Sequence, residues 1–208
     1  MCEKFVLHYF PLNGRGIIPR AILYYAKANW VDNVIGSDEW FNDKKFSNLF
    51  EFHRAPVLEY KGKKLCQSMA IIIYLSQLFN IYGRDIDEQY EINSLLNSYE
   101  ELLENFRKWN FCEDPAKKET LKQAGIDEFK LYIDRYEKRY QRLGNGPYYL
   151  GDHFSTADIY LACAIPTLHD ILWKPDIDEV MPNLKKLLER IRENELKGFF
   201  DNYFYHHN

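Results

Sequence analysis

Apolar residues recur at helical spacing through most of the second half of the chain. From residue 92 they fall at positions i, i+3, i+4 and i+7, along one face of an α-helix; they are Ile92, Leu95, Leu96, Tyr99, Leu102, Leu103 and Phe106. A second helix is predicted over 116–142, where aromatic and aliphatic residues again share one face. Shorter helices over 183–192 and near 195–203 follow Pro182. The pattern predicts an all-helical region.

The first eighty residues alternate between short apolar runs and helical spacing. Strands are predicted at 5–7 and 30–35, and helices over 17–27 and 40–50. Residues 54–71 then read as a strand, a Lys-Gly turn, a second strand and the start of a helix. The resulting β-α-β-α-β-β-α order predicts a small mixed sheet with helices on its faces.

The change of pattern near residue 80 predicts two domains. We assign residues 1–79 to an α/β domain, 80–87 to a linker that contains Gly83, and 88–208 to an all-α domain. In the helical part, Ser155 and Asp158 have the spacing of a capping box, in which the two residues close the start of a helix reciprocally.

Composition excludes several classes of protein. The formal net charge of −4 and the lack of a basic run argue against a nucleic-acid partner. No apolar stretch approaches the roughly 20 residues that span a bilayer, and the N-terminus has no signal-peptide core, so we expect a cytoplasmic protein without a membrane partner. The cysteines and histidines lack metal-ligand spacing, so no metal and no disulfide framework are expected; they include Cys2, His206 and His207.

The dipeptide Gln67-Ser68 is the first motif that indicates a possible binding site. Ser68 starts a predicted helix, where the first backbone N–H groups have no intrahelical partner and the dipole favours an anion. This start suits a small carboxylate. The alternative is a hairpin followed by an ordinary capped helix.

Several motifs occur together in the order of one family. These are Tyr9-Phe10, Gly14-Arg15, Trp40 with Lys44, Ala55-Pro56, Gln67-Ser68 and the segment 151–158 around the capping box. In this order the chain resembles the cytosolic glutathione transferases over essentially its whole length, and within them a sigma-like, tyrosine-type pattern. The resemblance implies a thioredoxin-like N-terminal domain followed by an all-α C-terminal domain, with glutathione as co-substrate.

The resemblance also implies roles for individual residues. Tyr9 would donate a hydrogen bond to the glutathione thiolate, with Arg15 adding positive potential, although Tyr9 is otherwise a core tyrosine and Arg15 a solvated turn residue. The bond before Pro56 would be cis, so that the Ala55 backbone pairs with glutathione. The remaining contacts would come from Gln67 and Ser68 at the γ-glutamyl carboxylate and from Trp40, Lys44 and Arg54 at the glycyl end. Packing for Trp40 and solvent for Lys44 are the alternatives.

Two departures from the family pattern stand out. The segment 46–53 is longer than expected and rich in phenylalanine, and Arg54 replaces the usual Gln or Lys. Glu100-Glu101 stand where sigma enzymes carry an Asp pair. By resemblance, Glu101 would reach the glutathione of the neighbouring subunit in a homodimer, while a solvated helix face is the alternative.

The function implied is conjugation of the glutathione thiolate to hydrophobic electrophiles. The alternatives are a glutathione-dependent prostaglandin-type isomerase and a non-catalytic, crystallin-like binding protein. The electrophile is expected to contact an apolar pocket, with Tyr203 or Phe204 as a lid; the candidates are Phe10, Leu12, Asn13, Phe106 and Trp109.

Overall fold

The computed structural model describes residues 3–172 and 175–205, so Cys2, His206 and His207 lie outside the described part. The chain forms two compact units. The first runs to Ile81 and also takes in the segment that begins at Glu195, and the second is Tyr82–Asn194. This grouping differs from the sequence-based division, which assigned the C-terminal segment to the helical domain. The aromatic side chains of that segment pack within the first unit, as described below.

The first unit is built on a four-stranded sheet with the order β2-β1-β3-β4. β2 runs parallel to β1, whereas β3 is antiparallel to both β1 and β4. The strands are β1 (Phe5–Tyr9), β2 (Trp30–Val34), β3 (Val57–Tyr60) and β4 (Lys63–Cys66). The thioredoxin-like architecture expected from the sequence is confirmed.

Among the described residues, α1 (Ile17–Tyr25) connects β1 to β2, α2 (Ser37–Glu39) lies between β2 and β3, and α3 (Ser68–Leu78) follows β4. α2 continues as a single π-type turn over Trp40–Lys44. The helix predicted over 40–50 is therefore wrong in its bounds, since the helical segment begins earlier and ends at Lys44. The chain then turns so that Phe50, which is fully buried, enters the core. An apolar side chain directed into the core by irregular backbone is not visible as periodicity.

Apolar side chains cover both faces of this sheet. Buried residues of β1 and β3, such as Leu7 and Leu58, join buried residues of α1 and α3 in one core. A second cluster comprises Ile35, Trp40, Phe50 and Val57, with Phe10, Leu49, Ala55 and Cys66 packed against it. The second cluster anchors the loop that leads to Pro56.

In its described residues, the second unit contains four helices and a 3-10 turn at Asp178–Val180. The helices are α4 (Ile86–Asn110), α5 (Pro115–Arg142), α6 (Thr156–Ile171) and α7 (Pro182–Glu193). α6 is buried on nearly all sides, as expected of the central helix of a bundle. The predicted helices at 92–106, 116–142 and 183–192 are confirmed. A last short helix, α8 (Phe199–Tyr203), belongs to the first unit.

Polar side chains close the helix starts of the second unit. The Asp85 carboxylate caps α4 and the Asp114 carboxylate caps α5. The predicted capping box of α6 is confirmed, with Asp158 accepting from the Ser155 N–H at 2.8 Å. α7 lacks a cap of its own, and the buried Glu137 carboxylate of α5 accepts from the Leu184 N–H at 2.9 Å instead. An acceptor from another helix thus satisfies a donor that α7 cannot.

Candidate active site

Tyr9 ends β1 and its side chain is held on several sides. The ring is 5% exposed, and the guanidinium carbon of Arg20 lies 5.5 Å from its centroid. Gly16 approaches so closely that a Cβ atom there would lie 2.2 Å from Cδ1 of Tyr9. The phenolic oxygen accepts a hydrogen bond from the backbone N–H of Arg15 at 3.0 Å. These contacts fix both the ring plane and the position of the hydroxyl.

The turn after β1 supplies these contacts because its glycines lack side chains. Gly14 has φ +35°, and a Cβ atom there would lie 2.8 Å from the Tyr9 hydroxyl. The carbonyl of Asn13 accepts from the N–H groups of Gly16 and Ile17, which leads the turn into α1. The sequence pointed to the Arg15 side chain, whereas the structure shows that the Arg15 backbone already contacts Tyr9.

The strand register aligns three of the predicted site residues. His8 pairs with Val57, so Tyr9 and Pro56 are the next opposed positions of β1 and β3. Val57 pairs with Cys66, so Pro56 and Gln67 are opposed at the ends of β3 and β4. One row thus forms at the ends of β1, β3 and β4, and it consists of Tyr9, Pro56 and Gln67. Strands lie about 4.8 Å apart, so the row spans roughly 10 Å, about the length of an extended tripeptide.

The peptide bond between Ala55 and Pro56 is cis, as the resemblance implied. Ala55 packs against the cluster around Trp40 and Phe50, while Pro56 is buried. Ala55 directly precedes Pro56, the middle residue of that row.

Gln67 has a backbone conformation that non-glycine residues rarely adopt. Its φ is 69° and its ψ is 115°, at the position directly before α3. The exposed Gln67 side chain makes no capping hydrogen bond to α3, and Ser68 is the first residue of the helix. Strain of this kind costs about 1–3 kcal/mol and concentrates at functional sites. The Gln67 side chain thus does not cap α3, and its contact with glutathione stays a prediction.

The residues expected at the glycyl end differ in their surroundings. The Trp40 ring is 7% exposed and packs edge-on against Phe10 and Phe50, with centroids 5.2 and 4.9 Å away. Lys44 is half-buried, with its ammonium 3.6 Å from a carboxylate oxygen of Glu39. Arg54 is exposed and donates to the carbonyl of His53. Their contacts with glutathione stay predictions.

Arg20 was missed by the sequence analysis. Its side chain is 0% exposed, and its Nε donates to Asp32 of β2 at 2.8 Å. Its other donors reach the carbonyls of Leu12 at 2.7 Å and Phe10 at 3.0 Å, in the segment that directly follows Tyr9. A buried charge requires such partners. The available signal was one arginine inside the apolar run 17–23.

The candidates for the hydrophobic pocket lie in both units. Phe10 and Leu12 are half-buried in the first unit, whereas Asn13 is fully buried and its amide bonds with the backbone of Tyr205. In the second unit, Trp109 is 3% exposed and packs edge-on against Phe106 at 5.0 Å. Their roles toward a substrate stay predictions.

The suggested lid residues also have packing partners. The Tyr203 ring lies 5.0 Å from Trp30 and 5.7 Å from Tyr24, and Phe204 lies 5.4 Å from Phe200. The lid role stays a prediction as well.

Glu101 is exposed on α4 and has a partner in its own unit. Its carboxylate accepts from the hydroxyl of Tyr132 on α5 at 2.5 Å, and this bond raises the pKa of Tyr132. Both residues line a cavity of about 530 Å³ between α4 and α5, together with Tyr90, Arg135 and Arg139. Glu101 is thus oriented by Tyr132.

Cysteine thiols and clusters of metal ligands are the other possible sources of chemistry in the described residues. Burial raises the pKa of the Cys163 thiol and, more weakly, that of Cys66, so neither is predominantly a thiolate near neutral pH. Residues 3–172 and 175–205 contain no group of three or more potential metal ligands. No helix in the same ranges is long and apolar enough to cross a membrane.

Family models match both halves of the chain. A family model described as the N-terminal domain of glutathione S-transferase matches residues 6–77, and one described as the C-terminal domain matches residues 100–201. The chain is 32% identical to probable glutathione S-transferase 7 of Caenorhabditis elegans, covering 74% of this chain and 75% of that protein. It is 30% identical to glutathione S-transferase A1 of Homo sapiens, covering 92% and 85%.

Solved structures extend the likeness over the full fold. A prostaglandin synthase D of Nilaparvata lugens superposes with a TM-score of 0.82 at 25% identity, covering 96% of this chain and 98% of that one. The two family models cover both units, and the relatives match along most of the chain. The protein belongs to the glutathione S-transferase family and is a glutathione transferase.

Proposed function

We propose that the enzyme conjugates glutathione to hydrophobic electrophiles, with Tyr9 stabilising the thiolate. The thiolate sulfur attacks an electrophilic carbon and forms a C–S bond, while a leaving group such as halide departs with the electron pair of the broken bond. A free thiol with a pKa near 8.5 is only a few per cent thiolate at pH 7. Each unit by which the bound thiol's pKa falls corresponds to about 1.4 kcal/mol of preferential stabilisation.

The row of Tyr9, Pro56 and Gln67 is the observation that carries this proposal. It has the length of a tripeptide, with a phenol at one end and, at the other, the start of α3, which the Gln67 side chain does not cap. An extended tripeptide pairing with the Ala55 backbone would direct its thiol toward the hydroxyl of Tyr9. The Arg15 N–H uses that oxygen as an acceptor, so this bond does not consume the hydroxyl proton.

Charged ends of glutathione require charged or dipolar partners. We assign the γ-glutamyl carboxylate to Gln67 and to Ser68 at the start of α3, where N–H groups and the helix dipole favour an anion. The glycyl carboxylate is assigned to Lys44 and Arg54, with Trp40 packing beneath, and Arg15 adds positive potential near the sulfur.

The second substrate and the assembly are part of the proposal. The electrophile is assigned to Phe10, Leu12, Asn13, Phe106 and Trp109, which are largely apolar. The working unit is a cytoplasmic homodimer of sigma-like type, in which Glu101 contacts the glutathione of the partner. No nucleic acid, membrane or metal takes part.

A second candidate function is isomerisation of a prostaglandin-type substrate. It is favoured by the likeness to the prostaglandin synthase D of Nilaparvata lugens at a TM-score of 0.82. In such a reaction the thiolate attacks one oxygen of an endoperoxide and forms an S–O bond as the O–O bond breaks. Loss of the proton on the adjoining carbon then forms C=O and releases the thiolate, so glutathione is regenerated rather than consumed.

Steady-state assays with the purified protein distinguish the two reactions. We expect consumption of glutathione with an aromatic halide, saturable in both substrates. Turnover of a prostaglandin endoperoxide with no net loss of glutathione, and none with the halide, would favour the isomerase. Absence of both reactions would overturn the thiolate mechanism.

A further inference from the structure

The chain after α8 returns to the turn that follows β1. Nδ2 of Asn13 donates to the carbonyl of Tyr205 at 2.7 Å, and the N–H of Tyr205 donates to Oδ1 of Asn13 at 2.9 Å. One side-chain amide thus pairs with both backbone groups of a single residue, as a neighbouring strand would. Asn13 is fully buried, so these hydrogen bonds are shielded from water. They fix Tyr205 relative to the turn.

Tyr205 in turn contacts the guanidinium that lies against Tyr9. The guanidinium carbon of Arg20 is 5.1 Å from the centroid of the Tyr205 ring and 5.5 Å from that of Tyr9. Such cation–π contacts are strongest when the cation is desolvated, and Arg20 is fully buried. Tyr205 is therefore part of the enclosure that keeps water from Arg20.

Arg20 connects this enclosure to the catalytic end of β1. Besides facing the Tyr9 ring, it holds the carbonyls of Phe10 and Leu12 and pairs with Asp32. Arg20 thus contacts the Tyr9 ring and pairs with Asp32, while Arg15 contributes its backbone N–H to the Tyr9 hydroxyl. If water entered beside Arg20, its contacts with the ring and with the following segment would weaken together.

We propose that Tyr205 and Asn13 are positioning residues for Tyr9, acting through the guanidinium of Arg20. The inference rests on the proposed function, in which the Tyr9 hydroxyl donates to the glutathione thiolate. A hydrogen bond to a thiolate weakens steeply when its angle or distance is lost, whereas glutathione itself is held elsewhere, at Gln67 and Ser68. Loss of the Tyr205 ring thus acts on turnover more than on glutathione binding.

The test compares Tyr205→Leu, which removes the aromatic ring, with Tyr205→Phe, which keeps it. In Tyr205→Leu we expect the pKa of bound glutathione, titrated by thiolate absorbance, to rise by about one unit, with kcat at neutral pH about tenfold lower. The KM for glutathione is expected to stay within about two-fold. Tyr205→Phe is expected to restore the wild-type pKa and kcat.

Two further variants keep the result decisive. Phe199→Leu is the matched control, because Phe199 is buried in the same segment and packs on Tyr24 and Tyr203. It is expected to lower the unfolding midpoint without moving the thiol pKa. Asn13→Leu keeps the Tyr205 ring but removes both hydrogen bonds to the Tyr205 backbone without adding a charge, and it is expected to raise the thiol pKa. It decides the question if Tyr205→Leu does not fold.

The outcomes separate this inference from the proposed function. An unchanged thiol pKa in folded Tyr205→Leu, or in Asn13→Leu, would overturn the positioning role alone. An equal shift in Phe199→Leu would do the same, because general loosening of the segment would then explain the effect. A wild-type protein without thiolate absorbance and without turnover would overturn the proposed function as well.

Discussion

The phenolic oxygen of Tyr9 accepts a hydrogen bond from the backbone N–H of Arg15 across 3.0 Å. A hydroxyl that accepts one hydrogen bond is polarised and becomes a better donor in the next. The N–H belongs to a turn whose glycines Gly14 and Gly16 lie against Tyr9, so the backbone of that turn fixes the orientation of the hydroxyl. Preorganised donors of this kind need little reorganisation when charge develops on the substrate.

Substitution Tyr9→Phe should affect turnover far more than binding. In the proposed mechanism the hydroxyl's hydrogen bond to sulfur stabilises the ionised thiol, whereas the rest of glutathione is held by other residues. We expect kcat to fall about tenfold for each unit by which the bound thiol's pKa rises, with little change in the KM for glutathione. Thiolate absorbance against pH measures the pKa directly. An unchanged pKa and rate would remove Tyr9 from the mechanism.

Substitution Gly16→Ala tests whether the close contact between Gly16 and the Tyr9 ring affects turnover. Gly16 has φ −88° and ψ −21°, which alanine adopts without strain, so the effect would come from the Cβ atom placed 2.2 Å from the ring. The ring must then move, and we expect a fall in kcat together with a higher thiol pKa. Crystal structures of the variant would show the displaced ring.

Gly36→Ala is the matched control for Gly16→Ala. Gly36 also has an ordinary φ of −72°, but a Cβ atom there meets nothing within 4 Å. We expect wild-type kinetics from this variant. Equal activity of Gly16→Ala and Gly36→Ala would show that Tyr9 tolerates displacement.

Periodicity and motif order predicted most of the fold because they depend on local sequence. The apolar stripe of 92–106 and the Ser155–Asp158 spacing each specify a helix or its start without distant partners. The bounds of α2 were missed because the burial of Phe50 depends on packing against Trp40 and Val57. Tertiary contacts decide where such a segment leaves the helix.

Only the residues of the candidate site that belong to short sequence motifs could be predicted. Gln67 and Ser68 were found from their place before a helix, but the positive φ of Gln67 follows from the fold and not from its residue type. The pairs Arg20–Asp32 and Glu137–Leu184 join residues distant along the chain. One sequence without its fold does not show which buried polar groups contact each other.

Two substitutions at Gln67 separate strain from recognition. Gln67→Ala and Gln67→Gly both remove the side chain, so both should raise the KM for glutathione to a similar extent. Only glycine relieves the φ of 69°, so we expect Gln67→Gly to be more stable than Gln67→Ala by about 1 kcal/mol. Denaturant unfolding gives this difference. Equal stabilities would mean that the backbone at residue 67 relaxes in the absence of ligand.

Asp158 should make stability depend on pH. Burial raises the pKa of its carboxyl to about 6, against the opposing effect of hydrogen bonds from Tyr149 and Ser155. The unfolded value is near 3.9, so the folded state holds the proton more tightly and protonation adds stability below about pH 4. This contribution is lost as pH rises through 6, and amounts to about 3 kcal/mol.

Asp158→Asn is the variant that checks this dependence. An amide does not ionise, so the unfolding free energy of Asp158→Asn relative to wild type should rise between pH 4 and 7. Asp158→Ala also loses the capping bonds and should be destabilised by about 0.5–2 kcal/mol, with the KM for glutathione unchanged in the folded fraction. Parallel pH profiles for wild type and Asp158→Asn would contradict the raised pKa.

The last prediction concerns the homodimer and the Glu101 carboxylate. In the proposed assembly Glu101 meets the α-amino group of glutathione held by Gln67 and Ser68 of the other subunit, and Tyr132 orients it through their 2.5 Å hydrogen bond. A partly exposed ion pair contributes about 1 kcal/mol or less, so Glu101→Gln should raise the KM for glutathione only a few-fold. Tyr132→Phe should give a smaller rise, because the carboxylate remains but loses its orientation.

Glu104→Gln serves as the control, since Glu104 is exposed on the same helix and pairs with Arg107 instead. Light scattering at micromolar concentration is expected to give twice the mass of the 25.0 kDa chain for the wild type and all three variants. A fully active monomer would rule out the shared site and the dimer together. A dimer in which Glu101→Gln and Glu104→Gln have the same KM would keep the assembly but remove Glu101 from glutathione binding, leaving it a structural partner of Tyr132 between α4 and α5.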